Sequence, residues 1–346
     1  MLRLIFRGSL ALIRIILRPF LVMSARQRYK RGESEQFEQA RRTLKQALSD
    51  ANPTETKVLV LECYNAKLND YFSEIIELAS QRSFCVVVVN NNTSVSTPEI
   101  KPLPQFSSTC FWFDTYNIGR DIGARKLAWE QLIQSQEYSF ERAVFINDST
   151  LILRKEELIH GLDLEGNQLA MTSMPSQPVP HPQSFIWSLP APLLDDATIQ
   201  NLFVSYEPLN DRWWAIQKGE IELGKAVMQR AYALKCSTNF LFLDDIQSTS
   251  LEHLSKKELI EKGLANKNDR VQSAENAITY TNFCISVGKV PLLVKKEHAS
   301  LAPSLKFPFL SEELSPNVHD ELVRLFSTRK PDTFWSQIKR SLGLQV

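Results

Sequence analysis

Phe84-Cys85-Val86-Val87-Val88-Val89 decides the fold of this chain. The run is β-branched and apolar at every position, so it reads as a strand buried on both faces rather than one with a wet side. Working outward, Val58 to Leu61 reads as a preceding strand and Leu68 to Ser80 as the helix between them. Downstream, Cys110 to Phe113 reads as a third strand. Arg120 to Gln134 is a helical pattern with Ala124, Leu127, Ala128, Leu132 and Ile133 apolar, and Ala143 to Ile146 is a further strand. Short apolar strands separated by helices of ten to fifteen residues predict an α/β fold, a Rossmann-like, mostly parallel sheet covered on both faces. Such sheets bind ligands beyond the carboxyl ends of their strands. The loops of interest therefore follow Val89, Phe113 and Ile146.

Those loops are polar. Asn90-Asn91-Asn92-Thr93 follows the first, Asp114 and then Asn117-Ile118-Gly119-Arg120-Asp121-Ile122-Gly123 the second, and Asn147-Asp148-Ser149 the third. In the seven-residue stretch, Gly119 and Gly123 permit tight turns and close approach of a ligand. The amides opening the next helix can hold phosphate oxygens, and Arg120 can fork onto a diphosphate. Asp121 suits a ribose, a sugar hydroxyl or the cap of its own helix. Asp148, flanked by an amide and a hydroxyl, suits a divalent cation such as Mg²⁺ or Mn²⁺, a sugar contact, or an Asx-turn. Later, His181-Pro182-Gln183-Ser184 leads into a strand from Phe185 to Leu189; His181 can contact a hydroxyl or serve as a base. Pro175 to Pro182, rich in proline, reads as an extended loop.

The chain of 346 residues carries 40 basic and 39 acidic residues, so no global charge points to nucleic acid. Its five cysteines are scattered without a CxxC pair and read as buried reduced thiols, which suits a cytoplasmic body. Charge is uneven only at the start. Arg3, Arg7, Arg14, Arg18, Arg26, Arg28, Lys30 and Arg31 precede any acid, and Leu, Ile and Phe lie between them. The arginines break the segment too often for a transmembrane span, and a signal peptide would not carry charges inside its apolar region. Arg3, Arg7, Arg14 and Arg18 share one helical face. This pattern predicts a helix lying in an anionic membrane interface, or one packed on its own domain. Phe37, Ala40, Leu44, Ala47 and Leu48 then repeat at helical spacing until Asn52-Pro53. The division read is 1–24 membrane-associating segment, 25–56 helical linker, 57–300 body and 301–346 C-terminal extension. That extension shows helical patterns at 317–327 and 332–342.

In order along the chain, Asn117, Gly119, Arg120, Asp121 and Gly123, then Asn147, Asp148 and Ser149, then His181, Gln183 and Ser184 resemble the motifs of the rhamnan synthesis protein F family of glycosyltransferases. Gly219-Glu220-Ile221-Glu222-Leu223 is similar to that family's acidic helix start. Asn276 to Ser286 and Pro291-Leu292-Leu293-Val294-Lys295 resemble its closing helix and strand. The family often has aromatic residues where this chain has Arg120 and Ile122. The resemblance spans roughly Lys57 to Ala299 and implies a GT-A-like fold and transfer of a deoxyhexose from a nucleoside-diphosphate sugar, commonly dTDP-rhamnose, to a glycan or lipid-linked acceptor. It places the donor across Asn117–Gly123, Asn147–Ser149, Gln183 and Ser184, with Asp148 for metal or sugar. The base is Glu220 or His181, and Glu220 is favoured because a carboxylate suits inverting transfer. The expected location is the cytoplasmic face of the inner membrane, held peripherally. The alternative is a catalytically silent, membrane-attached scaffold of a glycan-assembly complex.

Overall fold

The structure is a computed structural model that describes residues 17–135, 137–175, 181–250 and 272–295. The first sixteen residues, the centre of the proline-rich loop and the expected helices at 317–327 and 332–342 lie outside the described residues.

Among the described residues ten strands follow in order: β1 Lys57–Tyr64, β2 Phe84–Asn91, β3 Glu99–Pro102, β4 Cys110–Thr115, β5 Arg142–Asn147, β6 Thr150–Ile152, β7 Gln168–Met171, β8 Ile186–Pro190, β9 Ser237–Phe240 and β10 Leu293–Lys295. Eight form one sheet in the order β3-β4-β2-β1-β5-β8-β7-β9, and β6 pairs with β10. The centre, β4-β2-β1-β5, is parallel throughout. Antiparallel pairs enter at β3 and on either side of β8. The fold is therefore α/β with a mostly parallel central sheet flanked by helices.

The alternation of side chains along a strand explains the FCVVVV run. Val86 and Val88 face one apolar layer with Leu59, Leu61, Val144 and the helix Asp70–Gln81. Cys85, Val87 and Val89 face the opposite layer with Val58, Val60, Phe145 and the helix Arg120–Ala128. Both faces are dry, so the strand has no polar positions until its carboxyl end. Each fully buried Val or Leu contributes about 1.5–3 kcal/mol of transfer free energy, and these positions are 0–2% exposed.

The second layer also takes in Phe37, Ala40, Leu44 and Leu48 from the helix Ser34–Ala51. These residues are packed as part of the body rather than standing off as a spacer. Asn52 ends this helix at φ 45°, its amide donating to the Leu48 carbonyl. Upstream, residues 17–28 are also helical, and a π-turn at Tyr29–Glu33 joins the two with a kink at Gly32. Residues 17–28 lie against the body by their basic side. Arg26 pairs with Glu207 at 2.6 Å and lies over Trp214, and Arg18 lies over Trp213. Leu17, Phe20 and Met23, three residues apart, face outward. No helix among the described residues is long and apolar enough to cross a membrane.

The chain proceeds from β1 to β2 to β4 in one direction, then returns to place β5 on the other side of β1. Strand order reverses beside β1, which makes the carboxyl ends of β1 and β5 the topological switch point where such sheets open a crevice.

Candidate active site

The strands run further than their apolar cores. Asn90 and Asn91 close β2, Asp114 and Thr115 close β4, and Asn147 closes β5, so residues expected in loops are the last rungs of the ladder. Their side chains then bond across strand ends. Asn90 Nδ2 donates to Asp114 Oδ1 at 2.6 Å, and Asn91 Nδ2 donates to the Arg120 carbonyl at 2.7 Å.

The Asn117–Gly123 stretch turns sharply into its helix. Gly119 (φ 71°) and Arg120 (φ 60°) both sit in the left-handed region, which for arginine is strained by about 1–3 kcal/mol. Gly119 is obligatory for a second reason: a Cβ there would lie 2.5 Å from the Cβ of Pro208. At Gly123 a Cβ would meet the Ile118 carbonyl oxygen at 2.0 Å. The glycines therefore admit the chain's own backbone, not a ligand, and correct the expectation of close ligand approach at these two positions. Asn210 pins the turn from a distant segment. Its Oδ1 accepts from the Gly119 amide at 2.9 Å, and its Nδ2 donates to the Asn117 carbonyl at 2.7 Å. Asp121 does not cap the helix, since Gly119 holds that position. Its carboxylate accepts from Asn147 Nδ2 at 3.0 Å and so joins the turn to the end of β5.

Asn147-Asp148-Ser149 forms an Asx-turn, with Asn147 Oδ1 accepting from the amide and hydroxyl of Ser149. Asp148 is bound to β1 at two points. Its amide donates to the Glu62 carbonyl at 2.9 Å, and its carboxylate accepts from the Tyr64 amide at 3.1 Å. A small void of about 10 Å³ lies beside Asn147 and Asp148, lined by Leu61, Cys63, Tyr71 and Ile146. Tyr64 is half exposed where β1 ends.

Beneath these groups lies an ion pair absent from the sequence reading. Arg125, fully buried, forks onto Glu62 at 2.6 and 2.9 Å and donates to the Ser184 carbonyl at 2.6 Å. Its guanidinium lies 4.7 Å from the Trp187 ring centroid and 5.3 Å from that of Phe145. Burial pushes the Glu62 carboxyl up to about 7 against the pull of Arg125, with the nearby Asp121 and Asp148 adding to the rise. Lys126, beside Arg125, is also buried and donates to the carbonyls of Phe203 and Val204.

Glu220 closes the group. It was expected at a helix start. Instead it lies inside a π-turn, Ala215–Glu222, within a helical run that opens at Arg212 under an Asp211 cap and continues through Leu223–Ala233. A π-turn adds a residue to the turn and is often found at functional sites. Gly219 lets this turn approach: a Cβ would lie 2.6 Å from the Ile122 side chain. Burial pushes Glu220 up to about 7; Asp121 adds to this, while Lys295, a hydrogen bond from Ser184 and Arg125 oppose it. Tyr206 is raised by burial and by Asp121 and Glu220, and its hydroxyl has no hydrogen-bond partner among the described residues.

The structure thus brings together Asp121, Asn147, Asp148, Ser184 and Glu220, with Arg120 exposed on the rim. Gln183 is turned to Ser173, whose hydroxyl donates to its Oε1 at 3.1 Å, and His181 is buried. Ser149 is exposed. Among the described residues no group of three His, Cys, Asp or Glu side chains is arranged to hold a metal ion. Around Asp148 the described residues supply one carboxylate, whose Oδ2 accepts from the Tyr64 amide, with the Asn147 amide and the Ser149 hydroxyl beside it.

No family model matches this sequence, and no curated protein matches it. Among solved structures the apo form of WbbM, a bifunctional glycosyltransferase, is similar at 11% identity and a TM-score of 0.33, over 83% of this chain and 52% of that one. The chain therefore spans about half the length of that protein. A TM-score of 0.33 is too low to carry an inference about activity.

Proposed function

We propose that this chain is a glycosyltransferase of the rhamnan synthesis F type, moving a deoxyhexose, rhamnose by the motif resemblance, from a nucleoside-diphosphate donor such as dTDP-rhamnose to a surface glycan or lipid-linked acceptor. The observation that carries this reading is convergence. Asp121, Asn147, Asp148, Ser184 and Glu220 come from four separate segments, and all meet at the switch point of a parallel sheet, the crevice where α/β folds bind nucleotides.

The roles follow from the chemistry. Tyr64 offers an exposed ring for a base, and Asp148 and Asp121 offer carboxylates to ribose or sugar hydroxyls. Arg120 on the rim suits the diphosphate. Glu220, raised to about 7, is poised to accept the acceptor's proton near neutral pH. Peripheral attachment at the cytoplasmic face of the inner membrane is supported by the acid-free basic start of the chain and by the outward Leu17, Phe20 and Met23.

Thermal stabilisation against a panel of nucleotide sugars tests the reading, because a ligand that binds only the folded state raises the melting point. A saturable shift with one sugar nucleotide is expected. No shift with any of them would favour the silent scaffold.

A further inference from the structure

We propose that the Lys295 ammonium receives the charge that develops on the diphosphate leaving group, so that transfer proceeds on side-chain cations instead of a divalent metal. The inference rests on the glycosyltransferase reading and names how that site handles charge.

Among the described residues no three His, Cys, Asp or Glu side chains gather around a common point, and a departing nucleoside diphosphate needs positive charge. Lys295 is built into position for that role. It ends β10, which lies antiparallel to β6 with Lys295 opposite Thr150, two residues past Asp148. The register is fixed by several bonds. The Leu292 carbonyl accepts from the Leu153 and Arg154 amides at 2.8 and 3.2 Å, and the Leu292 amide donates to Tyr280 Oη at 2.8 Å. Tyr280 stands in the helix Ala277–Ser286, whose start is held by an Asn276–Thr279 capping box. At the other end, Lys295 Nζ lies 5.1 Å from the Phe185 ring centroid. Phe185 follows Ser184, and its carbonyl accepts from the Asn147 amide at 2.9 Å. The ammonium is therefore held over Phe185, the residue after Ser184, and its field reaches Glu220.

In the step, the acceptor hydroxyl oxygen bonds to the anomeric carbon and its proton passes to the Glu220 carboxylate. The bond from the anomeric carbon to the β-phosphate oxygen breaks, and its electron pair leaves on that oxygen. The nucleoside diphosphate departs with one additional negative charge. Lys295 pairs with it, and Arg120 on the rim can take the outer phosphate.

Calorimetric titration of the full chain with dTDP and UDP, in excess EDTA and in excess Mg²⁺, tests this. One of the two should bind the wild type in EDTA within about twofold of its affinity in Mg²⁺. Lys295→Met should weaken it by about tenfold or more, Lys295→Arg should keep it within about threefold, and the parent nucleoside should bind both variants as it binds wild type. The exposed-site control Lys45→Ala should change nothing. A tenfold requirement for Mg²⁺, or a Lys295→Met chain that binds as wild type, would overturn the proposal while leaving the transferase reading in place. If neither diphosphate binds wild type in either buffer, both fall.

Discussion

Arg125→Met removes the cation from a fully buried pair and leaves Glu62 without it. Three charge-assisted contacts go at once, two to Glu62 and one to the Ser184 carbonyl. Methionine fills part of the space between Trp187 and Phe145, so the cost is chiefly that of the stranded carboxyl and not of a cavity. Breaking a buried pair from one side costs about 3–5 kcal/mol. At about 2–4 °C per kcal/mol for a domain of this class, the melting point should fall by roughly 10 °C. The deficit should also depend on pH. Without Arg125 the folded pKa of Glu62 stands further above its unfolded value, so the ionic part of the penalty is absent well below about 4.5 and grows as pH rises. Urea denaturation at pH 5 and pH 8 measures both terms. Glu62→Leu combined with Arg125→Met should recover most of the loss, since a buried pair and an apolar replacement are often of similar stability. A single-variant cost under about 1 kcal/mol, or a double variant as unstable as the sum of the two singles, would refute the reasoning.

Three other outcomes are expected. Glu220→Gln should stabilise the fold at pH 8 by up to about 3 kcal/mol and leave it unchanged at pH 4, because a carboxyl raised from 4.5 to about 7 destabilises the folded state increasingly between those two pH values; equal effects at both pH values would contradict the raised carboxyl. Asn210→Ala should cost about 1–3 kcal/mol by releasing the Gly119 amide and the Asn117 carbonyl, and should weaken nucleotide binding although Asn210 has no place in the crevice; unchanged affinity would show that the turn holds itself. Deleting residues 1–24 should move the protein from the membrane to the soluble fraction, and persistence on the membrane would end the interfacial-helix idea.

The central strands were legible because FCVVVV, AVFI and the run at Val58 have no polar position facing either helix layer. The polar clusters were legible as well, and the structure sets them at the carboxyl ends of β2, β4 and β5. Other parts follow no linear pattern. Glu62 is a lone acid in an apolar strand, and Arg125-Lys126 look like an ordinary solvated pair on a helix; only tertiary pairing explains their burial. Asn210 lies in a loop far along the chain, and its role exists only where that loop meets Gly119. β7 and β9 are four residues each, too short for a period to show. Glu220 reads from sequence as a helix start but lies inside a helical run, because a π-turn has no signature distinct from an α-helical one. The glycines of Asn117–Gly123 were legible as a turn, while the reason for them, contact with Pro208 and Ile118, was not.

The central claim is that the carboxyl ends of β1 and β5 hold one nucleotide-sugar site. Titration of the donor found by thermal stabilisation into wild type, Asp148→Ala and Asp121→Asn tests it most directly. One donor per wild-type chain and a loss of about tenfold or more in each variant is the predicted result. Wild-type affinity in both variants would place the donor elsewhere and contradict the account.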